Sequence, residues 1–391
     1  MKRFIALFLS LLWVVLLFGC SEEESTLEER ANHAVATVNA VGDIFLTDAM
    51  IADARQADGS YDFSHQFENV IVALSQADLT IGNLEGNFIG SEFGRENGSY
   101  PNEFAQELYH IGFDLLQTAN SYTIYNGLSG LESTKAVIED NGMHALGAYT
   151  SAEDRKNNQV VIKDVNGVRI AFVALTKGLG NLAMPSDTQC SVDLLYEDYT
   201  SDYSKVNSKA ITALLERAKE KKPDVIIAAL HWGSENQEEI SDTQKEIVDL
   251  MLQNGVDVVL GSHSHLVSEI ETRKVTLEDG TQKDCVIAYG LGDFCAAEPE
   301  QCNTSIILNL EFTRDGETTT VSKASYTPVS SVDWGKEAQN RYCVMLTDTE
   351  TELYESNYYE RVSTQMYEAM RSDLEALRKK LDPQDDIIDP V

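Results

Sequence analysis

From residue 35 onward the chain alternates short apolar runs with stretches of helical spacing. Runs at 35–43, 78–85 and 113–120 are separated by amphipathic segments, including 102–112 and 130–142. The stretch 159–175 reads as a hairpin, because Asn166-Gly167 interrupts two alternating runs and is a strong two-residue turn signal. An irregular region at 176–202, rich in Gly, Ser, Asp and Tyr, comes next. Helix, strand, helix and strand return through 206–260, and strand patterns dominate 265–328. A helical pattern at 361–381, stopped by Asp382-Pro383, keeps its apolar positions on one face and predicts a docking helix. Strands alternating with helices of this length predict layered α/β or α+β packing.

The first twenty residues follow a different logic. Lys2 and Arg3 precede the apolar run 4–18, and Cys20 follows Gly19. A basic head, an apolar run of signal length and a Cys after a small residue predict a bacterial lipoprotein signal, with Cys20 as the lipidated N-terminus. The acidic stretch 21–34 reads as a solvated tether. The expected organisation is a signal at 1–20, the tether, a main domain at 35–330 and an extension with the docking helix at 331–391. That arrangement puts the body of the protein outside the cytoplasm, anchored to the cell membrane. Charge narrows the partners: 64 acids against 30 bases give a net charge of -34. Such a surface excludes nucleic acid as a partner, since phosphates need clustered Lys and Arg. Beyond Cys20 the chain has cysteines at 190, 285, 295, 302 and 343; Cys295 and Cys302 are near enough to bridge, and buried thiols are the other reading.

In layered α/β folds, sites form beyond the carboxyl ends of strands. The residues that follow the apolar runs here are Asp43, Glu85, Ser121 with Tyr122, His231 with Trp232, His263 with His265, and Asp293 with Phe294. Carboxylates and imidazoles at successive strand ends predict a centre for one or two divalent ions, with Mn, Fe or Zn best suited to a mixed donor set. The two histidines at 263 and 265 are expected to face one side of an extended turn.

Taken together, the segments 42-GDIFL-46, 82-GNLEG-86, 119-AN-120, 230-LHWGSE-235, 261-GSHSH-265 and 289-YGLGDF-294 resemble the CapA family of capsule (poly-γ-glutamate) biosynthesis proteins, within the calcineurin-like metallophosphatase superfamily. The resemblance implies an α+β fold, a four-layer α-β-β-α sandwich, with ligands at Asp43, Glu85, His231, His263 and His265. Glu85 would bridge, His231 and His263 would serve one metal, and Asp43 and His265 the other. Asn83, Asn120, Ser121 and Trp232 fall near that site. Where the family reads Ala-Asn-Asn-His followed by Asp, this chain has Asn120, Ser121, Tyr122 and Tyr125; the expected catalytic histidine is replaced by tyrosine. Gly290 and Asp293 also depart from the usual Ser and Asn. Proton delivery would fall to Tyr122, Asp293 or water. Three functions remain open: a capsule-polymer component on a divergent site, a slow or altered two-metal hydrolase of a phosphoester or amide, and a non-catalytic polymer-binding lipoprotein whose aromatics (Tyr122, Tyr125, Trp232, Phe294) pack or line a cleft. The expected partners are the membrane, a capsule or cell-wall polymer and its synthesis machinery. The basic run 378–380 is expected to be a solvated helix end.

Overall fold

The computed structural model describes residues 33–185, 191–277, 280, 282–297, 302–335, 338, 340–356, 362–381 and 388–390. The signal, Cys20, Cys190 and nearly all of the tether lie outside the described residues.

Two sheets face each other. The strands of the first are β1 (His33–Ile44), β2 (Leu79–Leu84), β3 (Leu115–Gln117), β4 (His144–Leu146), β13 (Asp293–Cys295), β14 (Cys302–Asp315), β15 (Thr318–Asp333), β16 (Tyr342–Leu346) and β17 (Ile388–Pro390). This nine-stranded sheet runs β16-β15-β14-β1-β2-β3-β4, with β13 against β1 and β17 against β15. The second comprises β6 (Val161–Val165), β7 (Val168–Thr176), β9 (Val225–His231), β10 (Val258–Ser262), β11 (Ile270–Thr276) and β12 (Gln282–Ala288). Its six strands run β11-β12-β10-β9-β7-β6. A two-stranded pair, β5 (Ala148–Tyr149) with β8 (Ser191–Val192), stands apart.

The alternation of side chains explains the layering. In β9, Val225, Ile227 and Ala229 join the core between the sheets, while Ile226, Ala228 and Leu230 face the helices Ser208–Glu220 and Asp242–Gln253. Both faces are covered, so the strand reads as a continuous apolar run, as parallel strands do. The first sheet behaves likewise: Ala36, Val38 and Ala40 point inward with Leu308 and Leu310, while Val41, Leu84 and Ile307 meet Met50, Phe67 and Phe104 on the outer face. The result is a four-layer α-β-β-α sandwich, the α+β architecture that the resemblance implied.

The hairpin forms where expected, with β6 and β7 joined by Asn166 (φ 49°) and Gly167 (φ 93°), the double positive φ of a type I′ turn. Strand β1 begins at His33, two residues inside the expected tether. The segment beyond 330 adds strand β16 to the main sheet and the helices Thr347–Glu355 and Thr364–Leu381. Leu377 and Leu381 of the last helix enter the core between the sheets. The basic run at its end is not simply solvated: Arg378 pairs with Asp348 at 2.6 Å, and Lys380 donates to Glu238 and to the Val267 carbonyl, both at 3.0 Å. Cys285, Cys295, Cys302 and Cys343 are thiols. The Cys295–Cys302 bridge does not form because Cys295 is buried under the helical face of the first sheet, its Sγ toward the Phe45 carbonyl, whereas Cys302 packs with Met366 and Trp334 in a separate cluster. Among the described residues no helix is long and apolar enough to cross a membrane.

Candidate metal centre

The parallel strands of both sheets end at one edge. Register fixes the neighbours there: Asp43 lies beside Asp293 and Asn83, and His231 lies between Thr176 and Ser262. Two glycines let these strands close. A Cβ on Gly42 would fall 1.9 Å from the Gly292 carbonyl oxygen, and one on Gly261 would fall 2.2 Å from that of Tyr289. The glycines of 42-GDIFL-46 and 261-GSHSH-265 are therefore matters of close backbone approach, each just ahead of a candidate ligand.

Two donor groups result. Glu85, His231 and His263 form one; Asp43, His265 and Asp293 form the other, with the donor atoms of each within 4.8 Å of one another. His231 Nε2 is 2.9 Å from Glu85 Oε1, and His265 Nδ1 is 2.7 Å from Asp293 Oδ1 and 3.5 Å from Asp43 Oδ2. The His263 amide donates to the Asp43 carboxylate (3.0 and 3.2 Å), which ties the two groups together. His231 and His263 thus lie together in one group and His265 in the other, with Asp293 beside it.

The expected extended turn at the histidine pair is not what the backbone adopts. His263 has φ 90° and His265 φ 60°, both in the left-handed region that bulky residues avoid. Such conformations cost about 1–3 kcal/mol each and persist only where surroundings impose them. Here the carboxylates of Asp43 and Asp293 hold the turn. Its effect is to send the two rings to different groups, with their centroids 6.3 Å apart.

Electrostatics fit divalent ions. Burial, and then repulsion from Glu85, pushes the Asp43 carboxyl well above the usual range. Burial likewise raises Glu85 to about 7. For His265 burial works downward, but the hydrogen bond to Asp293 and the charges of Asp43, Asp293 and Glu85 win and carry it up to about 10. His231 and His263 are held neutral by burial first, and then by neighbouring positive charge. Neutral imidazoles beside crowded, buried carboxylates are the donor set that divalent ions satisfy.

The supporting amides are ordered. Asn83 donates to Asp43 (2.7 Å) and Glu85 (3.1 Å), and accepts from Asn120 (2.9 Å), which also donates to the Leu84 carbonyl (2.7 Å). Asn120 thus braces the ligands from behind, while Ser121 lines the cleft in front. Trp232 is buried, donates to the Tyr289 carbonyl at 3.0 Å and stacks on that ring, and Phe294 lies in the outer core of the first sheet. Neither reaches the cleft. Tyr122 and Tyr125 do, their rings 5.3 Å apart. Burial, and then the Glu85 charge, raises the Tyr122 phenol to about 12, so it yields its proton less readily than free tyrosine.

The cleft over this centre has a volume of about 420 Å³. Its walls include Glu85, His263 and His265, the aromatics Phe45, Tyr122, Tyr125 and Tyr203, and the charged Arg95, Lys177 and Glu235. Sequence reasoning missed Lys177, although it directly follows the apolar run of β7. It also missed Asn303, which donates to Asp293 at 3.1 Å from the long strand β14.

Among curated proteins, the capsule biosynthesis protein CapA of Bacillus anthracis is 23% identical over 306 residues, covering 75% of this chain and 68% of that one. The PGA biosynthesis protein CapA of Bacillus subtilis (strain 168) is 26% identical over 194 residues, covering 49% of this chain and 45% of that one. Solved structures superpose loosely: the calcineurin-like phosphoesterase YfkN from Bacillus subtilis gives a TM-score of 0.42 at 14% identity, over 88% of this chain and 99% of that one. A hypothetical protein from Thermus thermophilus gives 0.42 at 14% identity, over 75% of this chain and 98% of that one. The bacterial capsule synthesis protein family PGA_cap matches residues 37–298, a span that holds every residue of both donor groups, and this chain belongs to that family.

Proposed function

We propose that this chain takes part in the biosynthesis of a bacterial capsule polymer of the poly-γ-glutamate type, from the outer side of the membrane, through a divalent-metal centre at the sandwich edge. In this reading Cys20 carries the lipid that holds it to the cell membrane, and the polymer and its synthesis machinery are the partners, for export or anchoring. The observation that carries the reading is the pair of adjoining donor groups, Glu85/His231/His263 and Asp43/His265/Asp293, at the floor of an open cleft. Divalent ions bound there supply Lewis-acid polarisation of a substrate oxygen and lower the pKa of water.

The chain's own residues set how far that chemistry goes. Asn83 and Asn120 orient Asp43 and Glu85. Asp293 orients His265 and is itself held by Asn303. What is missing is an imidazole free to act as the acid: among the described residues the imidazoles on the cleft walls, His263 and His265, belong to the donor groups, and Tyr122 holds its proton tightly. Loss of an acid catalyst typically removes ~10²–10⁴-fold of rate. The site therefore favours polymer engagement or slow transfer over efficient phosphomonoester hydrolysis. A second reading, a slow hydrolase of a phosphoester or amide, is supported by the same metal groups.

Metal per chain, measured by plasma mass spectrometry on wild type and on the His231→Ala/His263→Ala variant, tests the centre. Two ions in wild type, lost in the variant, are expected; none in either, after soaking with Mn, Fe or Zn, refutes it. Turnover of p-nitrophenyl phosphate and of a γ-glutamyl peptide then separates the two readings. Release of the Cys20→Ser protein into the medium tests the anchor.

A further inference from the structure

One cation in the cleft is used by neither donor group. Lys177 directly follows β7, and its amide donates to the His231 carbonyl at 2.7 Å. Thr176 is in register with His231, and His231 with Ser262, so Lys177 stands one residue past its strand just as His263 does. Its Nζ donates to the Gly233 carbonyl at 2.5 Å and lies 3.5 Å from His263 Nε2. The Tyr203 ring lies under it, 4.4 Å from the ammonium. Among the described residues no carboxylate forms an ion pair with it, although Glu235 shares the cleft wall.

An ammonium has three N–H donors. Gly233 takes one, and the His263 nitrogen, at a long 3.5 Å, offers at most one more lone pair. At least one donor is left for the cleft. Half-burying an ammonium without a carboxylate partner costs free energy. A chain with 64 acids and 30 bases had carboxylates to spare for that partnership. Arg95 lines the same cleft, its guanidinium 4.7 Å over the Phe45 ring. An ammonium with a donor to spare and an aromatic wall beside a metal centre make a place for an anionic group in an otherwise strongly acidic protein.

We propose that Lys177 is the specificity residue of an anion subsite beside the metal centre, one that takes a carboxylate or phosphate oxygen of the substrate. This rests on the reading of the cleft as a substrate site and deepens it: the substrate is acidic, and the subsite overcomes the repulsion that a charge of -34 imposes on an anionic chain. Tyr203 positions the lysine through its ring face.

The test is calorimetric titration of the full-length protein in detergent with two probes, inorganic phosphate and γ-glutamylglutamate. Wild type, Lys177→Met and Lys177→Arg are compared, with metal per chain and Tm measured on each. Wild type is expected to bind at least one probe. Lys177→Met should bind it about tenfold or more weakly at unchanged metal content, the scale of a lost charge-assisted hydrogen bond, and Lys177→Arg should recover most of the difference. Preference for phosphate assigns a phosphoester; preference for the dipeptide assigns an acidic peptide polymer. Equal affinity in Lys177→Met overturns the proposal, as does a wild type that binds neither probe. A metal content that falls with affinity also overturns it, since Lys177 would then support the metals alone. A wild type devoid of metal refutes the reading of the centre instead, and the subsite is judged on the same titration: Lys177-dependent binding upholds it and its absence overturns it.

Discussion

Substituting Gly42 by alanine tests whether the metal centre depends on the close approach of β1 and the segment 291–295. The added Cβ would lie 1.9 Å from the Gly292 carbonyl oxygen and 3.0 Å from the carbonyl carbons of Leu291 and Gly292. An ordinary contact begins near 3.4 Å, so the two backbones must part by about 1.5 Å. No side chain can swing away, because every atom met is backbone. The next residue, Asp43, donates its amide to that same carbonyl at 2.8 Å, and parting the strands stretches this bond as well. Overpacking of this kind costs ~1–3 kcal/mol and the hydrogen bond ~1 kcal/mol, together roughly 2–4 kcal/mol. For a domain of this length that lowers Tm by roughly 3–6 °C. The same displacement moves Asp43 away from Asp293 and His265, so the rise in Tm on adding Mn should shrink with it. Differential scanning fluorimetry with and without Mn reads both effects. A variant whose Tm stays within about 1 °C of wild type, with a full metal response, would refute the argument from close approach.

Asn83→Ala removes the amide that holds Asp43 and Glu85, and metal affinity should fall ~10–100-fold while the fold persists, as read by competition with a fluorescent chelator. Leu377→Ala, in the docking helix, should destabilise by ~2–5 kcal/mol, because that side chain fills the core between the sheets; an unchanged urea midpoint would mean the helix is not docked. The third concerns pH. Burial works to raise the Asp198 carboxyl, but the amides of Ser204 and Lys205 and the Ser204 hydroxyl together outweigh it and lower that carboxyl to about 2. Its folded pKa lies below the unfolded value near ~3.9, so its contribution is present above about pH 4 and is lost as pH falls toward 2. The Tm gap between wild type and Asp198→Asn should therefore close as pH drops through that window; a gap constant from pH 7 to 3 would count against it.

Much of the site could be read from the chain because parallel strands announce their ends. Asp43, Glu85, His231 and His263 each stand at or just past the end of a largely apolar run, and the sandwich brings those ends to one edge. The hairpin at Asn166-Gly167 was legible for a local reason, two adjacent residues that tolerate positive φ. Other features depend on long-range register. Asp293 was legible as a residue after an apolar run, but its place beside Asp43 follows from the pairing of a three-residue strand with β1, and Asn303 reaches the site from a fourteen-residue strand paired with β1 and β15. The left-handed turn at His263 and His265 left no trace in the sequence, because no glycine or asparagine marks it. Lys177 was overlooked for the opposite reason: a lysine after an apolar run usually marks a strand's exit to solvent, and only the neighbouring strands show that it stays at the cleft.

The pairing order of the first sheet has a consequence for how the protein matures. Strand β1 is held on one side by β2 but on the other by β13 and β14, some 250 residues later in the chain. Sheets closed by such distant partners form late, since loop closure must precede the contacts that reward it. During synthesis Asp43 and Glu85 emerge long before Asp293, and the Asp43/His265/Asp293 group is complete only when that last carboxylate arrives. An ion bound at that group would therefore be taken up only as folding finishes, and the metals available at that moment, more than intrinsic affinity, would decide which one is held.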